Sequence, residues 1–262
     1  SSEIKAILSV IGNNKTVNYK KISEYLTFQL TLDDETFIKN VKKLLPGHYL
    51  ICQLSGSSLP IIKPYWKLDY AISDSLEEKE YIEHLSFLVE DAVHLQLRSD
   101  VPVGCHLSGG LDTSVVTCLA SKMKSHPLPT FTGAFEEGEE YDERVYAKAV
   151  SKWTNSKYNQ VVPTHKDFAE TLSKIIYHLD EPVAGPGVFP QYMVSKLASE
   201  HVKVVLGGQG GDELYGGYAR YLIAYLEECL QGAIFETQHS HDERFVVTFE
   251  SILPNLSLLK NY

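Results

Sequence analysis

From Val101 onward the sequence alternates apolar, strand-like runs with amphipathic stretches at a regular pitch, and this pattern restricts the fold more than composition does. The periodicity predicts strands at 101–107, 130–135 and 158–163, separated by helices at 112–124, 142–153 and 165–178. After a Pro-rich link from Glu181 to Gly187 come a helix to about His201, the strand Val202-Lys203-Val204-Val205-Leu206, and a Gly-rich turn leading into another helix. Such alternation implies α/β architecture with a parallel, doubly wound sheet. Ligands of these sheets sit outside the carboxyl ends of the strands, and both Gly-rich turns fall there.

The part before this alternation reads differently. Residues 1–66 combine a short helical start, a Gly12-Asn13-Asn14 turn, turn chemistry at Pro46-Gly47 and Ser55-Gly56-Ser57-Ser58, and a strand over His48-Tyr49-Leu50-Ile51-Cys52. From Ser75 the pattern changes, since Ile82, Leu85, Val89, Ala92 and Leu95 recur at helical spacing and predict a helix to about Arg98. The division expected is therefore an α+β fragment at 1–66 followed by a larger α/β domain at 67–262.

The first Gly-rich turn is Ser108-Gly109-Gly110-Leu111-Asp112-Thr113-Ser114. Its two glycines let the backbone bend sharply and approach an oxyanion, and it opens a helix whose N–H groups attract phosphate. Asp112 is itself an anion in that positive mouth. The turn lacks the Lys of the Walker loop and the third glycine of the dinucleotide fingerprint. The second turn, Gly207-Gly208-Gln209-Gly210-Gly211-Asp212-Glu213, again carries acids after an apolar strand. A carboxylate beside phosphates is repulsive unless a divalent cation lies between, and Mg²⁺ takes one or two carboxylates plus phosphate oxygens and water. Asp112 and Asp212 are the candidate metal ligands. The plain alternatives are an Asp112 that only supports a helix N-terminus and an Asp212 that only caps one; the pairing of the two turns favours the shared ion.

The SGG-x-D-x-S core of the first turn resembles the pyrophosphate loop of the ATP-pyrophosphatase (adenine nucleotide alpha hydrolase-like) type. SGGLDTS followed about a hundred residues later by GGQGGDELYGGY is similar to the synthetase domain of asparagine synthetases. The likeness extends over 88–120, over Thr130 to Phe135, over Tyr141 to Arg144 with the helix behind them, and over Asp180-Glu181-Pro182. SSEIKAIL, ISEYLTFQL and VKKLLPGHYLI resemble the tail of the glutaminase domain that precedes that synthetase.

This resemblance implies an ATP-dependent reaction. The side-chain carboxylate of aspartate attacks the α-phosphate, pyrophosphate leaves, and ammonia derived from glutamine displaces AMP to give asparagine. It places Leu107, Gly133, Gly207 and Gly208 around the AMP moiety, and Ser108, Gly109, Gly110, Leu111, Asp112, Thr113 and Ser114 around the pyrophosphate. Asp112 and Asp212 would hold Mg²⁺ and count, with Gln209, as the catalytic set. Where the best-studied family pattern has Glu, this chain has Gln209, which can hydrogen-bond but cannot take a proton. The glutaminase nucleophile, an N-terminal Cys, and the family's C-terminal Lys and Glu-x-Arg-x-Pro-Phe segments are not in this sequence, which ends in Ser251 to Tyr262. Two readings of those segments stay open: another chain supplies them, as in a divided enzyme, or this chain is a fragment from which they were removed. Two alternatives stay open: a related enzyme adenylating another carboxylate, of the β-lactam synthetase or lasso-peptide cyclase type, and a nucleotide-binding module without turnover.

Charge and cysteine usage exclude other classes. A formal charge of -10 with scattered basic residues argues against a nucleic-acid surface. No apolar run approaches the roughly 20 residues that span a bilayer, so neither nucleic acid nor membrane is an expected partner. Cys52, Cys105, Cys118 and Cys229 have no zinc-ligand spacing and read as buried thiols of a cytoplasmic protein. Asp142 and Glu143 read as a helix start, His94, His106 and His165 as isolated, and Tyr215, Tyr218 and Tyr221 as packing residues at helical spacing.

Overall fold

The four strands implied by the alternating pattern are present and pair in parallel. The computed structural model describes residues 1–12, 15–53, 59–69, 76–135, 142–182, 185 and 187–235, with side chains to residue 227. The elements in chain order are α1 (Ile4–Ile11), α2 (Tyr19–Phe28), β1 (His48–Ile51), β2 (Ile61–Pro64), α3 (Glu78–Gln96), β3 (Val103–His106), α4 (Leu111–Lys122), β4 (Pro129–Gly133), α5 (Arg144–Trp153), β5 (Lys157–Val161), α6 (His165–Leu179), α7 (Val188–Ser199), β6 (Val204–Leu206), α8 (Gly211–Tyr215) and α9 (Ala219–Phe235). Asn13, Asn14, Ser55 to Ser58, Tyr141, Val183, Ala184, Pro186, the Cys229 side chain and Ser251 to Tyr262 lie outside what is described. By their contacts the residues form two units: Ser1–Ile72 with Val162–Lys196, and Ser73–Val161 with Leu197–Tyr262.

The second unit carries the four-stranded sheet, in the order β5-β4-β3-β6. The chain runs outward from β3 to β5 and then returns to set β6 on the free side of β3, where Val103, Gly104 and Cys105 pair with Val204, Val205 and Leu206. The order reverses at β3 and β6, which is the switch point where α/β sheets open a crevice. Val93, Leu97, Val103, Cys105, Ala120, Leu128 and Leu206 pack together beneath that point, with Val116, Leu119, Met123 and Val204 against them. This apolar cluster ties α3, α4, β3 and β6 into one support for the turns above.

Several boundaries differ from the sequence reading for local reasons. β3 begins at Val103, after Pro102, whose nitrogen has no proton for a ladder bond. β6 begins at Val204 because the Val202 N–H still donates to Ala198 O at 2.9 Å, continuing the final turn after α7. α5 begins at Arg144 because the Asp142 carboxylate accepts the Arg144 N–H at 3.0 Å and its Nε–H at 2.7 Å. Cys52 is exposed, which corrects the expectation of buried thiols, whereas Cys105 is buried and its thiol is pushed up to about 11 by burial. Among the described residues no helix is long and apolar enough to cross a membrane.

In the first unit β1 and β2 form an antiparallel pair from His48 with Pro64 to Ile51 with Ile61. The Lys21 side chain is fully buried, and its ammonium lies 2.8 Å from Glu24 and 2.7 Å from Asp33. Burial works against that charge, and the two carboxylates outweigh it, so the ammonium is held more firmly protonated than usual. α6 starts with a reciprocal cap, in which Thr164 Oγ1 accepts the Asp167 N–H and Asp167 Oδ2 accepts the Thr164 N–H. It ends at Asp180, whose φ of 64° lies in the left-handed region that Asp tolerates better than most side chains.

Asp180 and Glu181 then fasten the N-terminal segment. Asp180 accepts the Ile4 N–H at 2.7 Å and the Lys5 N–H at 3.3 Å, capping α1 from 176 residues away, and pairs with the Lys5 ammonium at 2.8 Å. Glu181 accepts the Phe37 N–H at 3.1 Å and a proton from Lys43 Nζ at 3.2 Å. For Asp180, burial pushes the carboxyl up, and the Lys5 ammonium with the two N–H groups pulls it further down, leaving it below the usual carboxylate range. A depressed pKa contributes stability that is complete above the unfolded-state value and is lost as pH falls through the folded-state value. Asp180→Asn is therefore expected to lower the unfolding free energy by about 1 kcal/mol at neutral pH. Urea unfolding should show that gap closing in acid; a gap unchanged in acid would contradict the capping role.

Candidate active site

The first Gly-rich turn leaves the sheet at Leu107, whose N–H donates to Phe131 O at 2.9 Å and whose carbonyl accepts the Thr132 hydroxyl at 2.6 Å. The chain exit is thus pinned to β4. Gly109 then adopts a φ of 105°, and a Cβ there would meet Glu143 O at 2.7 Å and Ala147 N at 3.0 Å. Only glycine lets the turn lie this close to the start of α5. The turn is closed by its own hydroxyls: Ser108 Oγ accepts the Gly110 N–H at 3.1 Å, and Thr113 and Ser114 both donate to Gly110 O. α4 follows without a side-chain cap, which leaves its N-terminal N–H groups for an anion.

The second turn rises from β6 and settles on the first. A Cβ on Gly208 would lie 2.9 Å from both Asp112 Cβ and Thr113 N, and one on Gly211 would collide with the Asp112 carboxylate. Gly210, at a φ of 96°, turns the chain into α8, and Gly216, at 71°, ends that helix after five residues. Asp212 stands in the first turn of α8, where a Cβ on Gly217 would strike its carboxylate. The Tyr218 hydroxyl donates to Glu213 at 2.7 Å and holds that carboxyl below its usual range; the Arg220 guanidinium stacks 4.2 Å from the Tyr218 ring centre.

Both turns face one cleft of 730 Å³. Of the residues the sequence singled out, Ser108, Gly110, Leu111, Asp112 and Thr113 line it from the first turn, and Gly208, Gln209 and Asp212 from the second. Gln209, Gly208 and Asp112 also border a neighbouring, more apolar cavity of 540 Å³ between α3, α4 and the second turn, and Gly207 faces that one. The others stand back from the cleft. Leu107 is 1% exposed, Gly109 packs on α5, the Ser114 hydroxyl is spent on Gly110 O at 2.7 Å, and Gly133 closes β4 opposite Val161.

Besides Gly211 and Gly217, four residues with side chains also line the cleft: Glu143, Glu213, Tyr215 and Tyr218. The sequence marks Glu143 as a helix start rather than a substrate contact; its place on the cleft depends on α5 starting beside Gly109. The tyrosines did carry a signal. Gly216 and Gly217 interrupt the helical register between Tyr215 and Tyr218, so the two do not share a packed helix face.

Among the described residues the cleft lining contains no Lys or Arg and four carboxylates, Asp112, Glu143, Asp212 and Glu213. A phosphate entering it would meet backbone N–H groups and hydroxyls, and would need a cation against the acids. Among the described residues no group of three or more His, Cys, Asp or Glu is placed to hold a metal alone. Asp112 and Asp212, both on this cleft, could hold a hard divalent ion only if phosphate oxygens and water completed its shell.

Comparison with known proteins identifies the family. Residues 84–252 match the family described as asparagine synthase, and residues 1–66 match the glutamine amidotransferase domain. The chain is 33% identical over 222 residues to asparagine synthetase [glutamine-hydrolyzing] 1 of Bacillus subtilis, covering 84% of this chain and 34% of that protein. It is 38% identical over 229 residues to putative asparagine synthetase [glutamine-hydrolyzing] 2 of Methanocaldococcus jannaschii, covering 86% and 44%. A fungal protein, amidase chyE of Penicillium rubens, is 27% identical over 256 residues, covering 86% and 38%. The chain thus spans between a third and a half of the length of these relatives. With the sheet order, the paired Gly-rich turns and the family match in agreement, the chain belongs to the asparagine synthase family.

Proposed function

We propose that this chain carries the adenylating site of an ATP-dependent carbon–nitrogen ligase that makes asparagine. The observation that carries the reading is the convergence of the two turns, with Asp112 and Asp212 on one cleft beside the uncapped start of α4. ATP lies with its β- and γ-phosphates against the first turn and its AMP portion toward Leu107, Gly133, Gly207 and Gly208. A carboxylate oxygen of aspartate attacks the α-phosphorus, and the bond to the β-phosphate breaks as pyrophosphate leaves. Ammonia then attacks the activated acyl carbon, AMP departs, and the extra proton is lost to solvent.

The residues present suit the first step. N–H groups at the start of α4 face the leaving pyrophosphate, where negative charge grows. Mg²⁺ held by Asp112 and Asp212 would neutralise that charge as it develops. Gln209 orients the acceptor by hydrogen bonding rather than by moving a proton. Ammonia comes from glutamine, with glutaminase and C-terminal segments contributed from outside residues 1–262, and an ATP- and glutamine-consuming reaction places the protein in the cytoplasm.

The test is pyrophosphate release from ATP and Mg²⁺. L-aspartate is expected to stimulate it. Release stimulated only by a different carboxylate would move the acceptor to another branch, and ATP binding with no stimulated release would make the chain a nucleotide-binding module. Asp112→Ala is expected to lower aspartate-stimulated release by about 10²-fold or more, as loss of a preorganised charge-stabilising group does. Unchanged Mg²⁺-dependent ATP affinity in that variant would sink the assignment.

Gly211→Ala offers a gentler probe, since its new methyl displaces the Asp112 carboxylate without removing it. Calorimetric titration should show weaker ATP binding in the presence of Mg²⁺ and little change in its absence. Equal weakening in both conditions would place the carboxylate away from the metal.

A further inference from the structure

We infer that Thr113 is a positioning residue that sets the two Gly-rich turns against each other, its hydroxyl fastening the first turn and its methyl seating the second. This rests on the adenylating site described above and changes the role expected for Thr113 within it. The hydroxyl has one proton and two lone pairs. The proton goes to Gly110 O at 3.2 Å, and the lone pairs face the Ser108 N–H at 3.3 Å and the Ser108 hydroxyl at 3.0 Å. Ser108 Oγ in turn accepts the Gly110 N–H at 3.1 Å. With one donation and two acceptances the Thr113 hydroxyl is saturated and has no bond left for a phosphate oxygen. Its work is to hold Ser108 and Gly110 in the bent form that turns the remaining N–H groups toward the cleft.

The other branch of the side chain meets the opposite turn. A Cβ on Gly208 would lie 3.1 Å from Thr113 Cγ2 and 2.9 Å from Thr113 N, so the second turn rests on this residue's methyl and backbone. A β-branched side chain is stiff at χ1 in a helix, which fixes hydroxyl and methyl together. One rotamer therefore sets the first turn's shape and the second turn's distance. Serine could supply only the former, and valine only the latter.

Two substitutions separate the branches. Thr113→Val keeps the shape and removes the hydroxyl: amide hydrogen exchange at Ser108 and Gly110 should quicken about tenfold, as for loss of a typical hydrogen bond. ATP affinity should fall by a similar factor, while exchange over Gly207 to Gly211 stays as in the wild type. Thr113→Ser keeps the hydroxyl and removes the methyl: exchange at Ser108 and Gly110 and the KM for ATP should hold, while exchange over Gly207 to Gly211 quickens and kcat for pyrophosphate release falls several-fold. Both variants loosening both turns equally, or Thr113→Val leaving the Ser108 and Gly110 amides protected, would overturn the proposal. The exchange pattern reads the positioning role even if no carboxylate stimulates pyrophosphate release, so its failure is distinct from failure of the adenylating reading.

Discussion

The site depends on a close backbone contact: the second Gly-rich turn lies directly on Asp112 and Thr113 at the start of α4. It exists because β6 returns to pair with the free side of β3, which brings the carboxyl ends of both strands side by side. Any residue larger than glycine at 208 meets the Thr113 backbone and forces the turns apart, whereas one at 211 meets only the Asp112 carboxylate; overpacking typically costs about 1–3 kcal/mol. The cleft, the pairing of the two aspartates and the exposure of the first-turn N–H groups all follow from that approach. The apolar cluster below, from Val93 to Leu206, keeps the two strand ends from separating.

The charge distribution of the cleft follows a different plan from phosphate loops that place a lysine on the nucleotide. Among the described residues no basic side chain lines the wall, and positive potential there comes from backbone N–H groups and whatever cation the carboxylates attract. A site with this balance should bind a polyphosphate only together with a metal. The bond from Tyr218 holds Glu213 ionised, so a ligand must satisfy its charge together with those of Asp112, Glu143 and Asp212. Gln209, an amide placed where both cavities meet, adds directionality without adding a further charge.

The alternation of strands and helices was legible because hydrophobic period is a local property, and so were the two turns, whose glycines and acids are adjacent in sequence. The strand order was not, since nothing local states that β6 lies beside β3 rather than beyond β5. Family resemblance pointed to Asp180-Glu181-Pro182, yet its carboxylates turn out to bind Ile4, Lys5, Phe37 and Lys43, contacts that span the chain and leave no periodic trace. Glu143 was legible only as a helix start for the same reason. Thr113 was readable as a loop residue, but the saturation of its hydroxyl needed geometry. Tyr218 and Tyr221 pack edge to face as their spacing implied, while Gly216 and Gly217 end the helix that carries Tyr215.

The central claim is that Asp112 and Asp212 hold one cation against the polyphosphate of a single nucleotide. A crystal structure with Mn²⁺ and an ATP analogue whose α,β-bridge cannot be cleaved tests it most directly, because Mn²⁺ is located by its anomalous signal. The account predicts one Mn²⁺ bridging both aspartates and the phosphates, with the phosphates against the start of α4. A nucleotide seated in the cleft with its metal away from either aspartate, or phosphates directed into the apolar cavity beside α3, would contradict it.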